Sequence, residues 1–311
     1  MSLNLVARLG DPSAVRVPLL AVLLPQTTAL PPALKKLDVR FGGQLSAACR
    51  RRDFRGRRDE QFVISRAGRA GGPVRLVLVG LGTEDRVPAL RRAAAIAARA
   101  GKGMGAATMA VFAGPLSTVE AEAVTIGASL GAWEYADLKS PVPEEDRRDA
   151  LTEVLVIAPT DGASLRAGVR SGSAIAAGYA LARRLGMMPP NLCTPDFLAD
   201  TARQIARTHN MKLTVLGRSE LTALKAGAFL AVAQGTAQEP RLVALEHRGG
   251  GRQAPIVLVG KGLCFDTGGI SIKPAAGMEW MKFDMCGAAG VLGAMEAIGR
   301  LGLPINVVGL I

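Results

Sequence analysis

The apolar positions of this chain of 311 residues fall into two successive series of strand-length and helix-length segments. In the first series, apolar runs at Leu19 to Leu24, Phe62 to Ser65 and Val74 to Val79 predict strands, and Val87 to Ala100, rich in Ala and Arg, predicts a helix. Met109 to Phe112 predicts another strand, Ser117 to Leu130 a helix and Thr152 to Ala158 a last strand. Strands alternating with helices imply a mixed or parallel sheet covered on both faces. The segment from Asp161 to Leu185, mostly Ala, Gly, Leu and Arg, predicts a long linking helix. Pro189 and Pro190 end it, because proline lacks the amide a helix needs and disfavours helical geometry before it.

The second series opens at Thr194-Pro-Asp-Phe-Leu, where Thr194 suits a helix N-cap and Pro195 the first helical position. A helix to His209, a strand at Lys212 to Leu216 and a helix at Ser219 to Leu224 follow. Arg241 to Glu246 and Pro255 to Gly260 alternate as sheet strands, and Ile256 to Val259 has the unbroken apolar character of a buried one. Ala288 to Leu301 repeats apolar residues at helical spacing, and Gly287 and Gly290 permit close backbone packing. The fold class expected is α/β, with residues 1–160 as one domain, 161–187 as the linking helix and 188–311 as a second α/β domain.

Composition narrows this picture. Apolar residues make up 49% and aromatics only 4%, so the core must be built from Ala, Val, Leu and Ile, in a soluble globular composition. The longest early apolar run, Val17 to Leu24, is too short to span a bilayer, so no membrane role is expected. Asp11 and Pro18 spoil it as a signal segment, and a buried strand is the better reading. Four cysteines, Cys49, Cys193, Cys264 and Cys286, show no metal-binding spacing and suit reduced thiols in a cytoplasmic protein. Cys264 and Cys286 are expected to be small packed thiols. The two histidines, His209 and His247, stand in polar surroundings and are expected at the surface, which disfavours a histidine-based zinc site or triad.

Charge adds an alternative. The net charge is +12, and Arg50, Arg51, Arg52, Arg55, Arg57 and Arg58 cluster with only Asp53 and Asp59 between them. Such a stripe can hold nucleic acid through phosphate contacts alone. It carries one aromatic, Phe54, and no reading motif, so a solvated hairpin is favoured over a DNA-binding role. The glycine-rich stretches Gly80-Leu-Gly-Thr-Glu-Asp and Gly260-Lys-Gly-Leu-Cys-Phe complete neither phosphate-loop pattern.

The densest chemistry lies in Val259-Gly-Lys-Gly-Leu-Cys-Phe-Asp-Thr-Gly-Gly-Ile-Ser-Ile-Lys-Pro and Met281-Lys-Phe-Asp-Met-Cys-Gly. Lys261, Asp266, Lys273 and Asp284 are set there among glycines and apolar residues, where a solvated face is not expected. Charges near a core must be paired or bound to a metal. Carboxylates are hard ligands, and two metals can share one Asp while clamping both oxygens of a displacement, roles that Asp266 and Asp284 fit. A lysine ligates only as the neutral amine, so beside a dication its pKa must be pushed far down. Lys261, flanked by Gly260 and Gly262, can approach a metal closely, while Lys273, fixed by Pro274, suits stabilisation of an oxyanion.

At these residues the sequence resembles the leucyl aminopeptidase family of cytosolic two-metal aminopeptidases. The resemblance is carried by Gly-Lys-Gly, Phe-Asp-Thr-Gly-Gly-Ile-Ser-Ile-Lys-Pro, Met-Lys-Phe-Asp-Met and Leu-Pro-Ile-Asn-Val-Val-Gly. Upstream, Pro189-Pro-Asn-Leu-Cys-Thr-Pro-Asp-Phe-Leu-Ala, the segment from Gly227 to Thr236 and Pro240-Arg-Leu-Val-Ala-Leu-Glu extend it. It implies a macro-like N-terminal α/β domain and a C-terminal metallopeptidase domain. It also implies two divalent ions, Mn²⁺ or Zn²⁺: Lys261 and Asp284 as ligands of the exchangeable one and Asp266 bridging both. Lys273 would be the catalytic lysine, and Met281 would line the pocket for an apolar first side chain, with Asp266, Asp284 and Lys273 also touching the substrate. Peptide substrates and a homo-hexamer are implied as well. The family's Asn-Thr-Asp-Ala-Glu-Gly-Arg motif, expected downstream, does not occur before Ile311, so the expectation is an incomplete catalytic domain. Two alternatives are a non-catalytic DNA-binding protein and a degenerate structural subunit.

Overall fold

A computed structural model of the chain describes residues 3–66 and 71–311, and it divides into two compact units, Met1–Ala176 and Ala177–Ile311. In the first unit six strands form one sheet: β1 (Asn4–Leu9), β2 (Leu19–Pro25), β3 (Gln61–Ser65), β4 (Arg75–Gly82), β5 (Thr108–Phe112) and β6 (Glu153–Ala158). Their order is β1-β6-β5-β2-β4-β3, with every neighbouring pair parallel except the antiparallel β3/β4. The mixed sheet matches the expectation.

Strand periodicity explains why this sheet is buried on both sides. Leu19, Ala21 and Leu23 of β2 point to one face with Val77 and Val79 of β4 and Met109 and Val111 of β5, where α3 (Arg86–Gly103) and α4 (Thr118–Ala132) cover them. Leu20, Val22, Leu24, Leu76 and Leu78 point to the other, against α1 (Lys35–Arg40), α2 (Gln44–Arg51) and Phe54. A strand buried on both faces needs an unbroken apolar run, and β2 has one. The start of α4 is set by a capping box: the Glu120 N–H donates to Ser117 Oγ while Glu120 accepts from the Ser117 N–H at 2.8 Å.

Three features of this unit escape the apolar pattern. Strand β1 mixes Asn4 and Arg8 with apolar residues, because it is the sheet edge beside β6 and only part of it is covered. The α1 and α2 helices are short and held by tertiary packing of Leu37, Phe41 and Leu45. The arginine stretch is no hairpin: Arg50 and Arg51 close α2, and the chain then turns so that Phe54 is fully buried. Arg58 pairs with Glu84 at 2.7 Å, and Arg92 of α3 binds both Asp59 and Glu84. The one aromatic of the stripe is thereby withdrawn from any nucleic acid.

The helix α5 (Gly162–Met187) runs through the boundary between the units and ends just before Pro189. The second unit contains α6 (Pro195–His209), β7 (Lys212–Leu216), α7 (Arg218–Ala223), α8 (Gly227–Val232), β8 (Leu242–Arg248), β9 (Ile256–Val259), α9 (Cys286–Leu301) and β10 (Asn306–Leu310). Thr194 caps α6, accepting from the Phe197 N–H at 3.2 Å, with Pro195 at the first helical position. Its sheet has the order β7-β8-β10-β9, antiparallel up to β10 and parallel between β10 and β9. A parallel pair needs a crossover, and the loop after β9 together with α9 supplies it.

Here two expectations are overturned. Strand β9 forms, but it is the sheet edge, and Ile256, Val257 and Val259 are 54%, 50% and 77% exposed because nothing among the described residues covers them. The histidines are not free surface groups. His209 is turned inward from the last turn of α6, its Nε2 3.0 Å from Glu296 Oε2 on α9. His247 lies in β8, its Nε2 2.8 Å from the Leu303 carbonyl. In both cases a polar partner distant in sequence makes burial affordable, which local polarity cannot reveal.

Candidate metal centre

The four charged residues singled out in the sequence come together as two pairs. Lys261 stands two residues past the end of β9 and its Nζ lies 2.7 Å from Asp284 Oδ2; Lys273 Nζ lies 3.2 Å from Asp266 Oδ2. Lys261 and Asp266 are within electrostatic reach of each other, so the pairs form one quartet of balanced charge.

A tight reversal builds the second pair. Asp266 accepts from the Gly268 N–H at 2.8 Å, the Lys273 N–H donates to the Thr267 carbonyl at 2.9 Å, and Gly268 bridges Ile272. Gly268 has φ +90°, and a Cβ there would come within 3.1 Å of Lys273 N, so glycine is required for the turn. Ile270 stands fully exposed at its tip. The reversal carries Lys273 back beside Asp266, seven positions earlier.

The first pair joins a strand end to a helix start. A 3₁₀ segment, Met278–Phe283, leads into Asp284, whose N–H donates to the Met281 carbonyl at 3.2 Å; α9 begins two residues later. Met281 thus sits one turn before Asp284, partly buried. The next residues pack Trp280 on Phe283, with ring centroids 5.7 Å apart.

Solvent exposure corrects the sequence reading. The Asp266 and Asp284 side chains are mostly buried, but that of Lys261 is 59% exposed, because it extends from an uncovered strand end. With Asp284 as its partner, the Lys261 ammonium is held above the usual lysine range. Asp266 is held below the usual carboxylate range, first by the Gly268 N–H and then by Lys273. Ion pairs this accessible add little stability, too little to explain a cluster of four charges in a glycine-rich loop.

One atom departs from this tidy pairing. Asp284 Oδ2 is buried and makes no hydrogen bond of good geometry, although Lys261 Nζ is close. A carboxylate oxygen cut off from water needs a charged partner, and the Lys261 ammonium stands beside this one. Among the described residues no three His, Cys, Asp or Glu side chains converge as a ligand group. The quartet offers two carboxylates, hard donors that suit a divalent cation as part of a coordination shell, and Lys261 could join them only as the neutral amine.

The cysteines stand aside from this set. All four are free thiols. Burial pushes Cys193 up to about 12 and Cys264 up to about 11, which keeps both protonated and poor as ligands. Cys264 is partly buried, as expected of a packed thiol, but Cys286 is exposed, because the first turn of α9 is uncovered on that side.

Comparison with known proteins identifies the family. The model of the cytosol aminopeptidase family's N-terminal domain matches residues 21–141, and that of its catalytic domain matches residues 180–311. The chain belongs to the cytosol aminopeptidase family. It is 39% identical over 301 residues to a probable cytosol aminopeptidase of Ralstonia nicotianae, covering 92% of this chain and 59% of the relative. A probable cytosol aminopeptidase of Pseudomonas syringae pv. tomato is 35% identical, covering 98% of this chain and 63% of the relative. Among solved structures, a tomato leucine aminopeptidase mutant superposes with a TM-score of 0.84 at 28% identity, covering 99% of this chain and 62% of that one. The bottromycin maturation enzyme BotP in complex with Mn has a TM-score of 0.76 at 31% identity, covering 94% and 58%. The chain spans about three fifths of the length of the relatives it matches.

Proposed function

We propose that the protein acts as a metal-dependent aminopeptidase, removing N-terminal apolar residues such as Leu from peptides. The observation that supports this reading most is the convergence of the Lys261–Asp284 and Asp266–Lys273 pairs in one glycine-rich loop region. Lys261, Asp284 and Asp266 would hold two divalent ions, Mn²⁺ or Zn²⁺, with Lys261 and Asp284 serving the exchangeable one, and when bound these would supply Lewis acidity and lower the pKa of the attacking water.

The remaining work falls to the chain. Asp266 and Asp284 orient the free α-amine of the substrate, which confines the reaction to N-terminal residues. Met281 lines the pocket for the first side chain, where an apolar, flexible thioether favours apolar residues. Lys273, 3.2 Å from Asp266 Oδ2, stabilises the oxyanion of the tetrahedral intermediate. The reading extends to a cytoplasmic protein, assembled as a homo-hexamer and acting on peptides without a membrane. Among the described residues no helix is long and apolar enough to cross one.

The test is Mn²⁺-dependent hydrolysis of leucine p-nitroanilide by the full-length protein. The Lys273→Ala variant should lose about 10²–10³-fold in kcat, the cost of removing one oxyanion donor. An unchanged kcat would remove Lys273 from its role, and absence of metal-dependent hydrolysis in the parent would overturn the reading.

A further inference from the structure

The backbone around Lys261 is pinned from two sides. The Gly260 N–H donates to the Leu310 carbonyl of β10 at 2.8 Å, and the Lys261 carbonyl accepts from the Ala288 N–H of α9 at 2.8 Å. The strand end and helix start therefore cross in backbone contact, and the crossing point is glycine on both sides. A Cβ on Gly260 would fall within 2.6 Å of the Gly287 carbonyl carbon and 2.8 Å of Ala288 N; one on Gly287 would fall within 2.7 Å of Lys261 N and 3.2 Å of its carbonyl oxygen. These obstacles are main-chain atoms, which cannot rotate away. Neither glycine has a left-handed φ, so the constraint is space and not backbone conformation.

Lys261 is the residue after Gly260, and Asp284 stands three before Gly287. The crossing sets the distance between the two backbones that carry this pair. We propose that Gly260 and Gly287 are positioning residues that fix the Lys261–Asp284 separation and so set the affinity of the ion held there. The inference rests on the reading of that pair as metal ligands. Coordination distances tolerate only about 0.2 Å, while a methyl group forced into the crossing must part it by more than that.

The experiment is titration of Mn²⁺ alone into the metal-stripped full-length protein, with unbound Mn²⁺ counted by electron paramagnetic resonance. Gly287→Ala and Gly260→Ala should each weaken one class of Mn²⁺ site by about 10- to 100-fold, the usual cost of disturbing the support of a ligand. Gly293→Ala is the steric control. Its Cβ would meet the Gly178 carbonyl oxygen at 2.5 Å on the far part of α9, away from the pair. It should lower the melting temperature at least as much yet keep the parent Mn²⁺ affinity. Parent-like affinity in Gly287→Ala and Gly260→Ala, or an equal loss in Gly293→Ala, would overturn the positioning role. Failure of both crossing variants to fold would assign the glycines to the fold and overturn it too. Lys261→Ala separates the two levels: loss of Mn²⁺ there with none in Gly287→Ala sinks only the positioning, whereas no loss in Lys261→Ala sinks the metal reading beneath it.

Discussion

Leu19–Leu24 and Ile256–Val259 are both unbroken apolar runs, and both become strands, but they meet opposite fates. Strand β2 lies in the middle of six strands with helices or loops on both faces, and none of Leu19 to Leu24 is more than 5% exposed. Strand β9 is an edge, and three of its four residues are half exposed or more. The first unit invests its apolar residues in a closed core. The second leaves them at the border where its chemistry sits, with Lys261 two residues past the end of β9 and Asp266 in the same loop. Sites of this kind stand at strand ends in α/β sheets. The closed core thus lies in one unit and the candidate chemistry in the other.

The comparison is broken most directly by truncating one side chain from each region. Phe54→Ala, a fully buried aromatic, should cost about 3–5 kcal/mol. Val259→Ala, 77% exposed, should change stability by about 0.5 kcal/mol or less. Urea unfolding of the two variants beside the parent decides the matter. Equal costs would mean that β9 is covered by something absent from this description.

Helix contacts sharpen the same contrast at a smaller scale. In the first unit α3 and α4 cross at Gly127, where a Cβ would lie within 2.8 Å of the Arg91 carbonyl carbon. Overpacking such a contact costs about 1–3 kcal/mol, so Gly127→Ala should lower the midpoint of urea unfolding clearly. Glycine at 290, inside α9, meets no atom within 4 Å, and Gly290→Ala should stabilise by about 0.5–1 kcal/mol through helix propensity alone. A loss of stability at position 290 would show that the outer face of α9 is occupied in solution.

How much of this could be seen in the residues depends on where the partners lie. The α6 helix is legible from its cap, Thr194 with Pro195, and α4 from the run Ser117 to Leu130, whose Ser117–Glu120 capping box the structure adds. The Asp266–Lys273 pair was legible as part of one short motif. The inward turn of His209 was not, because Glu296 is 87 residues away, nor was the withdrawal of Phe54 into the core of the first sheet. Exposure of β9 was hidden for a further reason: an apolar run states that cover is needed, not that the described residues provide it. Close packing at Gly287 is legible in the sequence, but that its partner is Gly260 is not, and Gly290, read the same way, meets no atom within 4 Å.

Capping gives the next effect in size. Ser117→Ala removes the side chain that accepts from the Glu120 N–H, and should cost about 1 kcal/mol. Ser117→Asp should restore most of it, since a carboxylate can accept the same bond and favours the positive end of the helix. A cost confined to the melting of the first unit would keep the contrast between the units intact; loss of Mn²⁺ binding as well would tie the two together.

The smallest effect separates the units by pH. Glu134, just beyond α4, is gripped by Lys102 and Lys139, and these partners hold its carboxyl down to about 2 from a usual 4.5. A carboxylate whose folded pKa is depressed adds stability that is fully present above its unfolded value and is lost as pH falls through the folded one. The window here runs from about 4.5 down to about 2. Because the side chain is a third exposed, solvent screening limits the gain to about 1 kcal/mol or less. Glu134→Gln should therefore leave a stability profile slightly lower at neutral pH and flatter below pH 4.5, with the parent and variant converging near pH 2. Such convergence in the first unit's unfolding, with no change in Mn²⁺ affinity at neutral pH, would place this carboxylate wholly on the side of stability, whereas Asp266, paired to a lysine in the same way, would show its loss in metal binding.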